Sequence, residues 1–216
     1  MINNQILASN LLETGAVRIQ PDNPFTWASG IRSPIYCDNR ILLSYPAIRT
    51  SLVDLMVKVL KDFELFDTVA GVATAGIPLG MLLADRLKLP FAYVRAKPKE
   101  HGRQNLIEGD IQKNANVLVV EDLISTGMSS LQAVDAVRQI PATVAGVVAI
   151  FQYGLPKAKT AFENAHCPFI TLTDFATVIQ VAAEKKLIEP FHLDVLSRWS
   201  ENPQAWSENY LLNAFK

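Results

Sequence analysis

Short apolar segments alternate with helix-periodic segments through the middle of the sequence, and this alternation limits the possible folds more than any other feature. Apolar strands that are separated by helices form a parallel sheet, which the helices cover on both faces. We therefore predict an α/β fold whose ligands bind at the carboxyl ends of the strands. The predicted strands are 68–72, 91–94, 117–120, 143–151 and 168–172, and the predicted helices are 77–87, 128–139 and 155–164.

The amino-terminal part of the chain does not follow this alternation. Its residue pattern predicts a helix at 3–12 and short strands at 25–27 and 33–38, which flank a turn at Gly30. An amphipathic helix follows, and its apolar stripe consists of Ile48, Leu52, Leu55, Met56, Val59 and Leu60.

The tail of the chain reads as helices, the first capped by Thr173 and the others restarting at Pro190 and Pro203. We expect the two ends to pack together as a small hood over the ligand face of the alternating core. The predicted arrangement is one domain, 1–216, with a core at 41–173 and a hood at 1–40 and 174–216.

One segment combines an acidic pair with a loop suited to anions. An apolar run ends at Glu121 and Asp122, a loop of hydroxyl residues and glycine follows at 125–127, and apolar periodicity then resumes. The N–H groups of such a loop and the positive end of a helix dipole bind anions, whereas carboxylates suit sugar hydroxyls or a divalent cation. The segment predicts a site for a phosphorylated sugar with Mg²⁺, although the same residue types also serve as plain helix caps.

Two other segments have the character of binding loops. The stretch 96–109 has no apolar periodicity and lies between two predicted strands, so we interpret it as a lid over phosphates; the alternative is a solvated loop without a role. The small residues at 70–78 let backbone amides approach an anion, or simply form a tight turn. The cations in or beside the predicted lid are Arg95, Lys97, Lys99, His101 and Arg103.

Composition excludes several classes of protein. The formal net charge of −1 and the pI near 6.3 argue against a general binder of nucleic acid or membrane surfaces. No apolar run approaches transmembrane length, and the first residues lack the basic start of a signal peptide. The two cysteines, Cys37 and Cys167, fit neither a disulfide framework nor a zinc site. We therefore expect a cytoplasmic protein.

The segment 117–127, in which four apolar residues precede two acids and a Ser-Thr-Gly turn, resembles the phosphoribosyl-pyrophosphate (PRPP) motif of type I phosphoribosyltransferases. Other segments are similar to the orotate phosphoribosyltransferase family over nearly the whole chain. These are the orotate-side segment 25–34, the pyrophosphate loop 71–78, the Arg-(x)₃-Lys-x-His-Gly lid motif at 95–102, and the tail from 171. The resemblance implies a type I phosphoribosyltransferase fold that transfers the phosphoribosyl group of PRPP to orotate in pyrimidine synthesis.

The same resemblance implies roles for individual residues. Lys99, His101 and Asp122 would be catalytic, with Mg²⁺ held through PRPP near Glu121 and Asp122 rather than by a direct protein site. It also implies a homodimer whose lid reaches the neighbouring active site. Residues implied to bind PRPP are Arg95, Lys99, His101, Glu121, Asp122, Leu123, Ile124, Ser125, Thr126, Gly127, Met128, Ser129, Ala73, Thr74, Ala75 and Gly76. Residues implied to bind orotate are Ser125, Ala28, Ser29, Arg32 and Tyr153.

The chain departs from the family pattern where charge is expected. Alanine stands where many members carry a lysine, at Ala28, Ala75 and Ala96, and Gln152-Tyr153 stands where an orotate-contacting arginine is expected. Arg32 or Lys97 is a candidate to supply the charge. Two other functions remain open at this point: transfer to another base such as a purine, and a PRPP-sensing regulator that binds nucleic acid or protein.

Overall fold

A computed structural model describes residues 3–27, 29–97 and 106–214. The first part of the chain forms α1 (Asn4–Glu13), the short strands β1 to β4, and α2. Strand β1 pairs antiparallel with β4, and β2 pairs antiparallel with β3. The bounds are β1 Val17–Ile19, β2 Phe25–Thr26, β3 Arg32–Ser33, β4 Ile35–Cys37, a 3₁₀ turn Asn39–Ser44, α2 Pro46–Val59 and a second 3₁₀ turn Leu60–Asp62.

The alternating part of the chain forms a six-stranded sheet in the order β10-β9-β8-β5-β6-β7. All neighbours are parallel except β7, which runs antiparallel to β6 at one edge. The bounds are β5 Thr68–Val72, α3 Gly76–Leu87, β6 Phe91–Val94, β7 Ile107–Glu108, β8 Asn116–Ile124, α4 Met128–Arg138, β9 Thr143–Gln152, α5 Pro156–Asn164 and β10 Phe169–Asp174. The predicted parallel sheet with flanking helices is therefore confirmed.

Helices cover both faces of this sheet because alternate side chains of its strands point to opposite sides. Leu118 and Val120 of β8 belong to one buried apolar cluster, together with side chains of α1, α2 and α3. Val117 and Val119 of the same strand belong to a second cluster, with side chains of α4 and α5. The continuous apolar run of β8 is thus explained by burial on both faces.

The tail consists of three helices, and several contacts join it to the first part of the chain. The bounds are α6 Phe175–Glu184, α7 His192–Glu201 and α8 Pro203–Ala214. Ser207 Oγ accepts a hydrogen bond from the Arg32 backbone N–H at 2.8 Å, and Lys185 Nζ lies 2.7 Å from Glu13 Oε1. These contacts lie between the two segments of the expected hood, whose boundaries near 40 and 174 stay a prediction.

Three local expectations need correction. Strand β1 was not expected, because three residues are too few to show a clear alternation. The predicted loop 96–109 contains the edge strand β7, which pairs through Ile107 and Glu108 with β6. Asp174 rather than Thr173 caps α6: its side chain accepts a hydrogen bond from the Thr177 N–H at 2.8 Å, whereas Thr173 still belongs to β10.

None of the helices within the described ranges is long and apolar enough to cross a membrane.

Candidate active site

A cleft of about 480 Å³ opens where β5 and β8 end. The two strands are neighbours in the sheet, so the loops that follow them meet at one edge. The loops after β5 and β8 form two walls of the cleft, and the segment around the end of β4 forms a third. The residues that line the cleft are Cys37, Asp38, Arg40, Ala73, Thr74, Ala75, Glu121, Asp122, Leu123 and the loop Ser125, Thr126, Gly127, Met128 and Ser129.

The sequence had suggested that the strand ends before the acidic pair. The structure instead places Glu121 and Asp122 inside β8. The strand continues because Leu123 and Ile124 pair with Phe151 and Gln152 of β9. Leu123 lines the cleft, whereas the Ile124 side chain is buried in the second apolar cluster. The apolar run stops at the acids, but the hydrogen-bonded strand does not.

The two acids have different surroundings. Glu121 is only 5% exposed; its Oε1 accepts the Asp122 backbone N–H at 3.0 Å, and its Oε2 accepts the Ser129 hydroxyl at 3.0 Å. Asp122 is half-buried at the cleft. Asn39 supports it from behind, because its side-chain N–H donates to the Asp122 backbone carbonyl at 2.7 Å. Glu121 therefore fastens the loop, and Asp122 is the acid more available to a ligand.

Burial makes both acids harder to ionise. Burial first, and the neighbouring Asp122 carboxylate second, raise the pKa of Glu121 to about 8. Burial likewise raises the pKa of Asp122 above its ordinary value. When two adjacent carboxyls are both hard to ionise, a bound cation or hydroxyl donors stabilise their ionised forms.

The loop after β8 leads directly into α4. Gly127 has φ +81°, a left-handed conformation that favours glycine, and it precedes the helix without a side-chain cap. The first N–H groups of α4 are therefore not satisfied by a capping side chain, and they adjoin the cleft next to Ser125 and Thr126. This arrangement suits an anion such as a phosphate. Ser129, also expected to bind phosphate, donates its hydroxyl to Glu121 in this structure.

The loop after β5 forms the opposite wall. Ala73, Thr74 and Ala75 line the cleft and bring no charged side chain to it. Gly76 does not line the cleft; it packs so closely on β8 that a Cβ would overlap the Val120 carbonyl oxygen. Its lack of a side chain thus serves helix-to-strand packing.

Of the expected orotate residues that the structure describes, Ser125 lines this cleft, whereas Ser29, Arg32 and Tyr153 do not. Tyr153 is buried in an aromatic cluster, where its ring centroid is 5.1 Å from that of Trp27 and 5.6 Å from that of Trp199. Ser29 is exposed, and Arg32 is bound through its backbone to Ser207. Gln152, at the position of the missing arginine, donates to the Thr171 hydroxyl at 2.8 Å.

The predicted lid is described only at its edges. Arg95 Nη1 lies 3.3 Å from Glu108 Oε1, and its backbone N–H donates to the Leu106 carbonyl at 2.8 Å. Lys97 is exposed. Lys99 and His101, expected to be catalytic, and Ala28, expected on the orotate side, lie outside the described residues.

Asp38, Asn39 and Arg40 were missed by the sequence interpretation, although they are polar residues directly after a strand. That position was a usable signal, since polar groups at strand ends commonly form binding sites. Cys37 and Cys167 are both buried free thiols.

Comparison with known proteins agrees with this geometry. Residues 40–185 match the family model described as "Phosphoribosyl transferase domain", so the chain has the fold of a phosphoribosyltransferase and belongs to that class of proteins. The orotate phosphoribosyltransferase of Bacillus pumilus (strain SAFR-032) is 52% identical over 205 residues, which cover 94% of this chain and 97% of the relative. That of Bacteroides thetaiotaomicron is 48% identical over 203 residues, with 94% and 96% covered.

One solved structure is similar to this chain in both fold and sequence. The crystal structure of orotate phosphoribosyltransferase from Aeropyrum pernix has a TM-score of 0.73 and 30% identity, and covers 85% of this chain and 99% of its own. The chain belongs to the orotate phosphoribosyltransferase family.

Proposed function

We propose that this protein transfers the 5-phosphoribosyl group of PRPP to orotate, giving orotidine 5′-monophosphate and pyrophosphate in the synthesis of UMP. The observation that carries the proposal is one cleft in which the acid pair, Glu121 and Asp122, adjoins the uncapped start of a helix. The membership of the chain in the orotate phosphoribosyltransferase family supports orotate as the acceptor.

The chemistry assigns a task to each wall of the cleft. The bond between the anomeric carbon and the diphosphate oxygen breaks, and its electron pair leaves with pyrophosphate. A ring nitrogen of orotate bonds to the carbon, and its proton passes to the solvent. Positive charge develops on the ribose and negative charge on the leaving group. Asp122 and Glu121 hold the ribose hydroxyls, the loop at 125–129 seats the 5′-phosphate, and the loop at 73–75 faces the diphosphate.

The remaining roles follow from orientation and from exclusion of water. Holding orotate against the ribose lowers the barrier through orientation, which can contribute roughly 7–11 kcal/mol. Ser125 belongs to the phosphate loop and is also proposed to contact the base, together with Ala28, Ser29, Arg32 and Tyr153 on the orotate side. Arg95, Lys99 and His101 stabilise the departing pyrophosphate more in the transition state than in the ground state.

Mg²⁺ is part of the proposal. The residues present fit it, because Glu121 and Asp122 place carboxylate oxygens, the ligands this ion prefers, beside the cleft that receives the sugar and diphosphate oxygens. When bound, the ion supplies neutralising charge to the diphosphate. The prediction of no direct protein metal site stays open.

A homodimer in the cytoplasm, with each lid reaching the neighbouring site, is also proposed. Met81 and Leu82 support the dimer, since these apolar side chains of α3 are exposed. Light scattering of the protein and of the variant Met81→Glu tests this: a dimer that the variant weakens is expected, and a monomeric wild type contradicts it.

The function is tested by incubating the purified protein with PRPP, Mg²⁺ and a panel of bases: orotate, uracil, adenine, guanine and hypoxanthine. Pyrophosphate release with orotate alone is expected. Turnover of a purine in place of orotate would reassign the base, and salt-dependent nucleic-acid binding without any turnover would point to a regulator. The variant Asp122→Asn, which should turn over more slowly, is the comparison in the turnover assay.

A further inference from the structure

Asp38 and Arg40 form a rigid pair on the third wall of the cleft. Arg40 Nε lies 2.7 Å from Asp38 Oδ1, and Nη2 lies 2.9 Å from Oδ2. The Arg40 backbone N–H also donates to Oδ1 at 3.2 Å, as Asp38 caps the 3₁₀ turn. Two parallel N–H···O bonds fix the plane of a guanidinium. Arg40 is therefore held in one orientation by its neighbour in the chain.

This pair leaves part of the guanidinium available. A guanidinium has five N–H donors, and the Asp38 carboxylate takes one from Nε and one from Nη2. The Arg40 side chain is 62% exposed, whereas the Asp38 side chain is only 23% exposed. The unused donors belong to a side chain that lines the cleft, so a ligand can reach them without breaking the pair.

The described side chains that line the cleft carry more acidic than basic groups, so an anion bound there depends on the charge of Arg40. Among the described residues that line it, Asp38, Glu121 and Asp122 are acidic and Arg40 is the one arginine or lysine. The loop at 73–75, which faces the diphosphate in the proposed function, has Ala75 where family members often carry a lysine. A multiply charged anion in this cleft therefore requires a cation from another wall.

The position of Arg40 indicates which anion it meets. Arg40 shares the cleft with Ala73, Thr74 and Ala75, whereas Ser29, Arg32 and Tyr153 of the expected orotate side do not line it. The diphosphate of PRPP is thus favoured over the carboxylate of orotate.

We infer that Arg40, oriented by Asp38, binds the diphosphate of PRPP and the leaving pyrophosphate, supplying charge that Ala75 does not. This inference rests on the proposed function. Arg40 is a substrate-binding residue and Asp38 a positioning residue. The Arg40 guanidinium also lowers the pKa of Asp38, which keeps the carboxylate ionised and the pair intact near neutral pH.

The test measures binding of inorganic pyrophosphate by calorimetry in excess Mg²⁺, and the KM of each substrate. Arg40→Gln should weaken pyrophosphate binding and raise the KM for PRPP by about tenfold or more, because charged hydrogen bonds contribute roughly 1.5–3 kcal/mol. The KM for orotate should change less than about twofold, because Arg40 is proposed to contact the diphosphate and not the base. Arg40→Lys should recover part of the loss, since it keeps the charge but not the fork.

Three further variants separate binding from folding. Arg198→Gln is the matched control, because Arg198 pairs with Asp194 on the exposed side of α7, away from the cleft. It should behave as wild type. Asp38→Asn should raise the KM for PRPP less than Arg40→Gln does, and the double variant should be no worse than Arg40→Gln, as expected of residues that act as one unit. A purely structural pair would instead lower the melting temperature and raise both KM values.

The possible failures are distinguishable. If the wild type uses orotate and Arg40→Gln keeps wild-type pyrophosphate binding and KM for PRPP, the inference is overturned and the proposed function stands. An increase confined to the KM for orotate also overturns it, since Arg40 would then serve the base. If the wild type fails to use orotate but binds pyrophosphate through Arg40, the proposed function falls and the diphosphate site remains.

Discussion

The Ser129 hydroxyl donates a hydrogen bond of 3.0 Å to Glu121 Oε2, and this bond joins the first turn of α4 to the acid pair of β8. The same carboxylate accepts the Asp122 N–H through its other oxygen. One buried side chain thus relates the two halves of the cleft, the phosphate loop and the acids. The protonation of Glu121 is therefore linked to the geometry of the whole site.

Glu121 should make the stability of the ligand-free protein depend on pH. Its pKa is raised from an ordinary value of 4.5 to about 8, so between these pH values the folded protein holds a proton that the unfolded chain releases. The free energy of unfolding should fall as pH rises through this window and become level above it. Glu121→Gln should remove this part of the slope, which melting temperatures from pH 5 to pH 9 would show. If the profiles of Glu121→Gln and of the wild type were parallel, the assignment would be contradicted. Glu201→Gln, at an exposed position of α7, is the control.

Asp122→Asn should weaken PRPP binding and slow turnover. The carboxylate is the acid more available in the cleft, and loss of a charged hydrogen-bond acceptor costs roughly 1.5–3 kcal/mol, or about tenfold or more in affinity. Calorimetry with PRPP and steady-state kinetics measure the two effects. Asp135→Asn, on the exposed face of α4, should leave both unchanged. Wild-type kinetics in Asp122→Asn would remove this residue from the site.

Lys99→Ala should lower kcat far more than it raises the KM for orotate. A cation that meets the leaving pyrophosphate acts most strongly in the transition state, so its loss should slow turnover by about tenfold or more. Initial rates at saturating PRPP separate the two constants, and Lys113→Ala, at an exposed position, is the control. Equal changes in kcat and in orotate KM would argue against a leaving-group role.

Gly76→Ala should destabilise the protein by about 2 kcal/mol or more. The added Cβ would overlap the Val120 carbonyl oxygen, which belongs to the backbone of β8 and cannot rotate away as a side chain can. Gly80→Ala is the comparison in the same helix. Its Cβ would lie 2.8 Å from the Phe91 ring, which can shift, and 3.3 Å from the Gly71 Cα, while alanine favours the helix by about 1 kcal/mol over glycine. Urea unfolding should rank Gly76→Ala as clearly the worse variant; similar losses would contradict the packing argument.

The start of α6 offers a test of the corrected cap. Asp174→Ala should cost about 1 kcal/mol, since the Asp174 side chain accepts the Thr177 N–H. Thr173→Val should be neutral or stabilising, because the buried Thr173 Oγ1 has no hydrogen-bond partner among the described residues. Thermal unfolding of the two variants distinguishes them. A larger loss in Thr173→Val would restore Thr173 as the cap.

Much of the sheet could be predicted because its strands are buried on both faces and therefore read as unbroken apolar runs. The end of β8 could not, since Glu121 and Asp122 interrupt the apolar run while hydrogen bonds to β9 continue to Ile124. Thr173 was taken as a cap from its residue type alone, but its register opposite Phe151 keeps it in β10. Strand ends are set by pairing with a neighbour, which a single segment does not reveal.

The candidate site likewise contains residues that could be predicted from the sequence and residues that could not. The acids and the loop at 125–127 could be identified because their residue types are adjacent in sequence. The wall of Asp38 and Arg40 comes from a distant part of the chain, and only the fold brings it to the end of β8. Arg32, one of the two candidates for the missing charge, does not line the described cleft; its backbone N–H donates to Ser207 of α8.

The aromatic cluster has a consequence for biosynthesis. Its rings come from the first part of the chain at Trp27, from the end of β9 at Tyr153, and from α7 at Trp199. Ribosomes make the chain from its amino end, so all strands of the central sheet emerge before Trp199 does. A nascent chain that stops ahead of α7 contains every described wall of the cleft but lacks the third ring of this cluster, so the cluster can form only late in translation.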